Sequence, residues 1–377
     1  MSPVRQSGVR AHNLALVLRT VANSADPLSR AAVAGATGLT RATVSTLVDD
    51  LIAGALLSEV GPAPRNGAGR PAAGLRISPD GPAGLGLEIN VDYRAACVVD
   101  LSGAVRHRLL EAGDQRPAGP AAALAGIARL AEQARELAER DGLTVAGAAL
   151  AVPGLIAAGG VVKVAPNLGW QDVTIGERLP GGLPLAVDNE ANLAALGELA
   201  AGDPPGSFVY VSGEIGIGAG IVLDGTLYRG VRGWSGEIGH IPIDPGGPEC
   251  RCGARGCLEQ YAGQEAMLRA AGVPDVAGLA GADLTTAGTA LGTALATVVN
   301  LLDVGTVVLG GIYAPLLPEL RGPVQAEIGR RVLTSEWSPV TLRAASLGAD
   351  AAMRGAAGAV LREVFDDPAR WLGRSLL

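Results

Sequence analysis

Gly236-Glu237-Ile238-Gly239-His240 and, ten residues on from the histidine, Cys250-Arg251-Cys252-Gly253-Ala254-Arg255-Gly256-Cys257-Leu258-Glu259 are the stretch on which the reading of this chain turns. Three soft sulfur ligands and one imidazole fill a tetrahedral Zn²⁺ shell and leave no position for water. His240, Cys250, Cys252 and Cys257 therefore predict a structural zinc ion that clamps a glycine-rich loop with little core of its own. That loop carries Glu237 and Glu259. Disulfide pairing is the competing reading, but three of the four cysteines fall within eight positions, and an odd number cannot pair off internally. Arg5, Arg10 and Arg19 interrupt any apolar leader, so a reducing, cytoplasmic compartment is expected. Cys97, in an apolar strand-like run, reads as core. A zinc hydrolase is disfavoured because catalytic zinc keeps a water position.

With 377 residues, 48% of them apolar, the chain suits two or three domains. No run approaches the ~20 apolar residues of a spanning helix, so no membrane partner is expected. The net charge of −7 is unevenly spread: residues 1–79 carry eight Arg against Asp26, Asp49, Asp50 and Glu59 (+4), whereas the remainder holds 22 basic against 33 acidic residues (−11). A basic head on an acidic body suits double-stranded DNA at the head alone.

Pattern in the head agrees. Leu28 to Ala34 reads as a short helix, Gly35 to Leu39 as a turn, and Thr40 to Ile52 as a second helix with Thr40 as its N-cap. Apolar residues at 44, 47, 48, 51 and 52 form one face, which leaves Arg41, Thr43, Ser45 and Thr46 at the exposed helix start, where a recognition helix offers them to bases and phosphates. Two short strands, Ala55–Val60 and Ala73–Ile77, flank a Pro/Gly/Arg-rich loop read as a wing, with Arg70 at its tip aimed at a minor groove. An amphipathic helix, Val9–Val21, packs beneath.

From Gly84 the chain alternates strands and helices: strands at 85–91, 95–100 and 105–110, a helix at 121–140, and strands at 145–152 and 185–187. A similar order then repeats from Phe208, with a Leu223-Asp224-Gly225-Thr226 hairpin turn, a helix at 289–302 and a strand at 306–309. Two α/β halves imply a duplicated fold with a ligand cleft between lobes. The boundaries are 1–79 for the head, 80–195 for the first lobe and 196–377 for the second.

The run Gly230-Val231-Arg232-Gly233-Trp234-Ser235-Gly236-Glu237-Ile238-Gly239-His240, together with the Cys-x-Cys-Gly-x-x-Gly-Cys-Leu-Glu pattern, resembles the ROK family of sugar kinases and sugar-responsive repressors. With the winged head, the resemblance is to its transcriptional-repressor branch of xylose-repressor type. It implies an α/β, actin-like (ribonuclease H-like) two-lobed body behind an α+β winged helix-turn-helix domain, structural zinc, a monosaccharide in the cleft and a homodimer or homotetramer. Carried onto matching positions, the sugar set is Asn189, Glu190, Glu237, His240 and Glu259, with Asn167 and Trp170 at the mouth. His240 then serves both metal and sugar.

Kinases of the family share an Asp-x-Gly-x-Thr phosphate loop, a Thr-Gly-rich second loop and an Asn-Asp pair whose Asp is the base. Here the three places read Glu88-Ile89-Asn90-Val91-Asp92, Ile215-Gly216-Ile217-Gly218-Ala219-Gly220 and Asn189-Glu190. A carboxylate in the first repels phosphate, the second lacks its hydroxyl, and an extra methylene displaces the base by more than ~1 Å, enough to cost ~10²-fold in rate. The expectation is a sugar-responsive repressor that binds operator DNA and has no catalytic residue, with Glu190 at the base position. The alternative is an ATP-dependent sugar kinase.

Overall fold

The computed structural model describes residues 6–62, 73–202 and 204–374. Its head comprises helices α1 (Gln6–Ala22), α2 (Arg30–Thr37) and α3 (Arg41–Ala53), then a hairpin of β1 (Leu57–Pro62) and β2 (Ala73–Ile77). Local chemistry sets the α2–α3 turn. Ser29 caps α2, accepting from the Ala32 N–H, Gly38 leaves the helix at φ +72°, and the Thr40 hydroxyl accepts from the Thr43 N–H at 3.1 Å. Arg30 ties α2 to its neighbours by donating to the Ser45 carbonyl (3.1 Å), Asp49 (2.7 Å) and Glu59 (2.9 Å).

Two sheets form the body. Strands β3 (Pro82–Ile89), β4 (Tyr93–Asp100) and β5 (Val105–Ala112) lead through α4 (Gly119–Arg140) to β6 (Thr144–Val152). A small sheet of β7 (Leu155–Ala157), β8 (Val161–Ala165) and β9 (Trp170–Thr174) intervenes before β10 (Leu185–Asn189) and α5 (Glu190–Ala201). The second sheet takes β11 (Phe208–Gly213), β12 (Ile217–Leu223) and β13 (Thr226–Tyr228). It is completed by β14 (Thr306–Gly311) and β15 (Thr341–Ala344), with helices α6 (Glu259–Ala262), α7 (Gln264–Ala271), α8 (Thr285–Leu302) and α9 (Leu317–Arg331) on the way. Strand order is β10-β6-β3-β4-β5 in the first sheet and β13-β12-β11-β14-β15 in the second. Both are a three-strand antiparallel meander extended on the side of its first strand by two parallel strands, which is the duplication expected from the repeated element order. Asp224 (φ +48°) and Gly225 (φ +72°) make the β12–β13 hairpin turn, both in the left-handed region that such two-residue turns require.

Helices α10 (Ala351–Asp366) and α11 (Pro368–Arg374) leave the second sheet. The former lies across β3 and against α5, so part of the segment 196–377 completes the first lobe. Glycine makes that approach possible: a Cβ at Gly86 would stand 1.8 Å from the Met353 carbonyl oxygen. Beneath it Cys97 is 1% exposed and donates to the same carbonyl, and burial pushes its thiol up to about 12, as suits a core residue. Head and body share one core, in which Leu14, Val17 and Leu51 join Val99, Met353, Leu361 and Trp371. Helix α8 is long and apolar enough to cross a membrane, yet ten of its residues are buried against α9 and the second sheet.

Candidate ligand cleft and metal centre

The cleft opens where β6, β10 and β11 end, the carboxyl edge at which open α/β sheets hold ligands. At the end of β10, Asn189 caps α5: its side-chain oxygen accepts from the Ala191 (2.8 Å) and Asn192 (3.3 Å) N–H groups, and its amide donates to the Gly154 carbonyl at 3.1 Å. One amide hydrogen is left for a ligand. Glu190, the first residue of α5, faces the cleft with Oε2 buried and unpartnered. Opposite, a Cβ at Gly220 would stand 2.5 Å from the Ala191 carbonyl oxygen and one at Gly218 3.1 Å from the Ala191 methyl, so these glycines let β12 press on α5. They are needed for packing whether or not phosphate binds.

Gly236 sets the other wall. Its φ is +99° and a Cβ would lie 1.9 Å from the Ala219 carbonyl oxygen, while its own carbonyl accepts from the Ala219 N–H at 3.0 Å. Docked this way on β12, the loop turns Glu237 and His240 to the cleft, and Glu259 joins them from the start of α6. The structure thus brings together all five residues of the expected sugar set. Asn167 lines the cleft as expected, whereas Trp170 does not. At 2% exposure it lies in the first-lobe core, because alternation along β9 turns its indole inward.

Three further polar residues complete the lining: Asn90, Ser212 and Glu214. The sequence signal for Glu214 is an acid in a glycine-rich turn, Ser212-Gly213-Glu214, immediately before the Ile215–Gly220 run that reads as the second phosphate loop. Among the described residues no Lys or Arg lines the cleft, and Arg251 reaches its edge by donating to Asn167 Oδ1 at 3.5 Å. Burial and the neighbouring Glu88 and Asp92 raise the Glu214 carboxyl to about 8. Burial, then repulsion from Glu237, Glu88 and Glu214, holds Glu190 well above the carboxylate range, and burial raises Glu237. Behind the lining, burial lifts Glu88 to about 7; its Oε1 accepts from the Tyr93 hydroxyl at 2.6 Å, and its Oε2 is unpartnered. The enclosed volume, about 70 Å³, takes roughly five to seven waters, the scale of one sugar ring and its hydroxyls.

The four candidate metal ligands also converge. The ligating atoms of His240, Cys250, Cys252 and Cys257 lie within 4.8 Å of one another, with Cys252 Sγ to Cys257 Sγ at 3.7 Å and Cys250 Sγ to His240 Nδ1 at 3.8 Å. A tetrahedron with ~2.3 Å metal–sulfur bonds has edges of about 3.8 Å, so the donor set fits the ion. Glycines form the knuckle: Gly253 (φ +91°) and Gly256 (φ +65°) turn the chain so that Cys250 N–H bonds the Ala254 carbonyl at 2.8 Å. The thiols face Nδ1 of His240, a residue that also lines the cleft. Glu259 Oε1, in turn, accepts from Cys250 Sγ at 2.9 Å, so metal cluster and cleft share residues.

On the head, Arg41 and Thr46 are exposed and Thr43 and Ser45 half-buried along the first turns of α3. The Thr43 hydroxyl meets that of Thr40 at 2.9 Å, and the Thr46 hydroxyl reaches the Ala42 carbonyl at 3.3 Å. Arg70 and the wing tip lie outside the described residues.

Comparison with known proteins accounts for this architecture. Residues 84–363 match the ROK family model. The xylose repressor of Bacillus subtilis is 28% identical over 96% of this chain and 98% of its own. Among solved structures, a ROK family transcriptional regulator homologous to the Escherichia coli Mlc protein superposes with a TM-score of 0.79 at 25% identity, covering 97% of this chain and 99% of its own. A ROK glucokinase from Streptomyces griseus, crystallised with glucose and AMPPNP, gives 0.63 at 26% identity but covers only 74% of this chain against 98% of its own. The body is therefore the actin-like two-lobed α/β fold seen in both branches, and the chain belongs to the ROK family.

Proposed function

We propose that this protein is a cytoplasmic, sugar-responsive transcriptional repressor: a head over residues 1–79 that reads operator DNA and a body that senses one monosaccharide between its lobes. The observation that carries this reading is the cleft lining. Glu190, Glu214, Glu237, Glu259, His240 and Asn189 offer hydrogen bonds to hydroxyls, and no Lys or Arg is among the described residues that line it. Similarity to a xylose repressor along nearly the whole chain supports it. In this reading Asn189, Glu190, Glu237, His240 and Glu259 hold the sugar. Zn²⁺ on His240, Cys250, Cys252 and Cys257 orients the last three, and Arg41, Thr43, Ser45, Thr46 and Arg70 contact DNA. Two protomers bind the two halves of a palindrome, as symmetry requires.

Packing offers a route between the sites. Helix α5, which begins at Glu190, meets α10 so closely that a Cβ at Gly355 would stand 1.8 Å from the Leu193 carbonyl oxygen, and Glu198 accepts from Ser346 and Leu347 N–H groups at 2.9 and 2.8 Å. Beyond α10, the Trp371 indole on α11 donates to the carbonyl of Gly54, the C-cap of α3, at 3.0 Å. A sugar that moves α5 moves the end of the recognition helix, provided it binds the two arrangements unequally.

The test is fluorescence anisotropy on palindromic duplexes across a salt series, with a panel of monosaccharides titrated into the complex. Salt-sensitive preference for one palindrome over random duplex, reversed by one sugar, is expected; no preference at any salt refutes the reading. The similarity to a glucokinase structure favours a second reading, a sugar kinase. Phosphorylated sugar formed from Mg-ATP and abolished by Glu190→Gln would establish it.

A further inference from the structure

A second cleft, of about 810 Å³, lies where the head meets the body, bounded by the end of α1, β2, the β4–β5 turn, α5 and α10. Its size is that of a small-molecule site. Val21, Ile77, Val99, Leu101 and Phe365 supply an apolar wall, and Arg19, Arg76, Arg354 and Arg362 stand around it against one acid among the described lining residues, Asp366, which pairs with Arg19. The guanidinium groups of Arg76, Arg354 and Arg362 make no hydrogen bond or ion pair with any described residue. In a chain of net charge −7, three unpaired guanidinium groups around one concavity are not explained by a shortage of acids. Many arginines elsewhere do find them, Arg30, Arg94, Arg108, Arg135 and Arg255 among them, and those whose guanidinium groups do not, such as Arg41, Arg129 and Arg370, line no shared cleft with one another.

The helix face is shaped for an occupant. Arg354, Gly358 and Arg362 follow one another at four-residue intervals along α10, so they lie on one stripe. A Cβ at Gly358 would meet nothing within 4 Å, so the position between the two guanidinium groups opens into the cleft. Glycine in mid-helix costs about 1 kcal/mol against alanine, and here no close approach of backbone requires it.

We propose that this cleft binds a small organic anion, a carboxylate or comparable monoanion on an apolar body, whose charge is taken by Arg354 and Arg362 and whose body lies on the Val99–Leu101–Phe365 wall. Guanidinium forks match carboxylate geometry, and the partly enclosed site strengthens the pairing. The site is separate from the interlobe cleft and does not depend on the sugar reading. Because its walls come from both head and body, occupancy favours the head–body arrangement seen here.

The probe is 8-anilinonaphthalene-1-sulfonate, an aromatic anion whose fluorescence rises in apolar sites, titrated into the full-length zinc-loaded protein. Saturable binding is expected, at least ~10-fold weaker in Arg354→Gln/Arg362→Gln and abolished in Gly358→Leu, which places a side chain in the cleft while raising helix propensity. An unchanged thermal midpoint in Gly358→Leu shows that lost binding is not lost folding. Should that variant unfold, Gly358→Ala, with a partial loss of affinity expected, replaces it. Benzoate or octanoate should displace the probe, and inorganic phosphate at equal ionic strength should not. Equal affinity in wild type and all variants overturns the proposal, as does displacement by an acidic peptide but by neither carboxylate.

Discussion

Glu88→Gln should stabilise the protein above neutral pH, by an amount that shrinks steadily as pH falls from about 7 to 4.5. Burial raises the Glu88 carboxyl from 4.5 to about 7, so between those values the folded chain holds a proton that the unfolded chain has released. Such a group contributes its full stability below about pH 4.5, and that contribution is lost as pH rises through 7. At 1.36 kcal/mol per pH unit the interval amounts to about 3 kcal/mol by pH 8, or a shift of the thermal midpoint on the order of 5 °C for a chain of this size. Glutamine mimics the protonated form: its oxygen keeps the bond from the Tyr93 hydroxyl, and its NH₂ occupies the place of the unpartnered Oε2. Removing this charge also relieves Glu214 and Glu190, which feel it as repulsion, so the gain is not reduced by the neighbours. The assay is thermal unfolding of both proteins from pH 5 to 8.5. Curves separated by a constant amount, or a variant that is less stable at pH 8.5, would refute the burial argument.

Three other outcomes follow from the geometry. Cys257→Ser, or exhaustive chelation, should free the 240–259 loop and abolish sugar binding together with much of the thermal stability; calorimetry of metal-free protein that still binds sugar at unchanged affinity would contradict this. Gly236→Ala must place a methyl against the Ala219 carbonyl at φ +99°, a cost of about 3 kcal/mol or more, and sugar titrations should lose affinity as Glu237 is displaced. Trp371→Ala removes a buried indole that bridges α11 to α3 at about 3–5 kcal/mol; the head should then melt before the body in differential scanning calorimetry, and a single unshifted transition would count against a shared core.

Features carried by neighbours in the chain were legible early. Four metal ligands lie between positions 240 and 257, Thr40 and Thr43 are three apart, and the strand–helix order of the two lobes repeats along the chain. Such features depend on short-range spacing, backbone conformation and side-chain chemistry, all present in a linear string. What required the folded molecule involves residues far apart in sequence. Glu88 faces Glu214 only because β3 and β11 end at one cleft, and Trp170 turns inward because β9 packs on the first lobe. The last helices return to β3 and to the head because Gly84 and Gly86 admit a helix at backbone distance. The sequence by itself therefore determined the set of candidate metal ligands, the helices of the head and the class of fold. Tertiary structure alone decided the charge state of the cleft and the union of head with body, because burial and long-range apposition arise only when distant segments exclude water from one another.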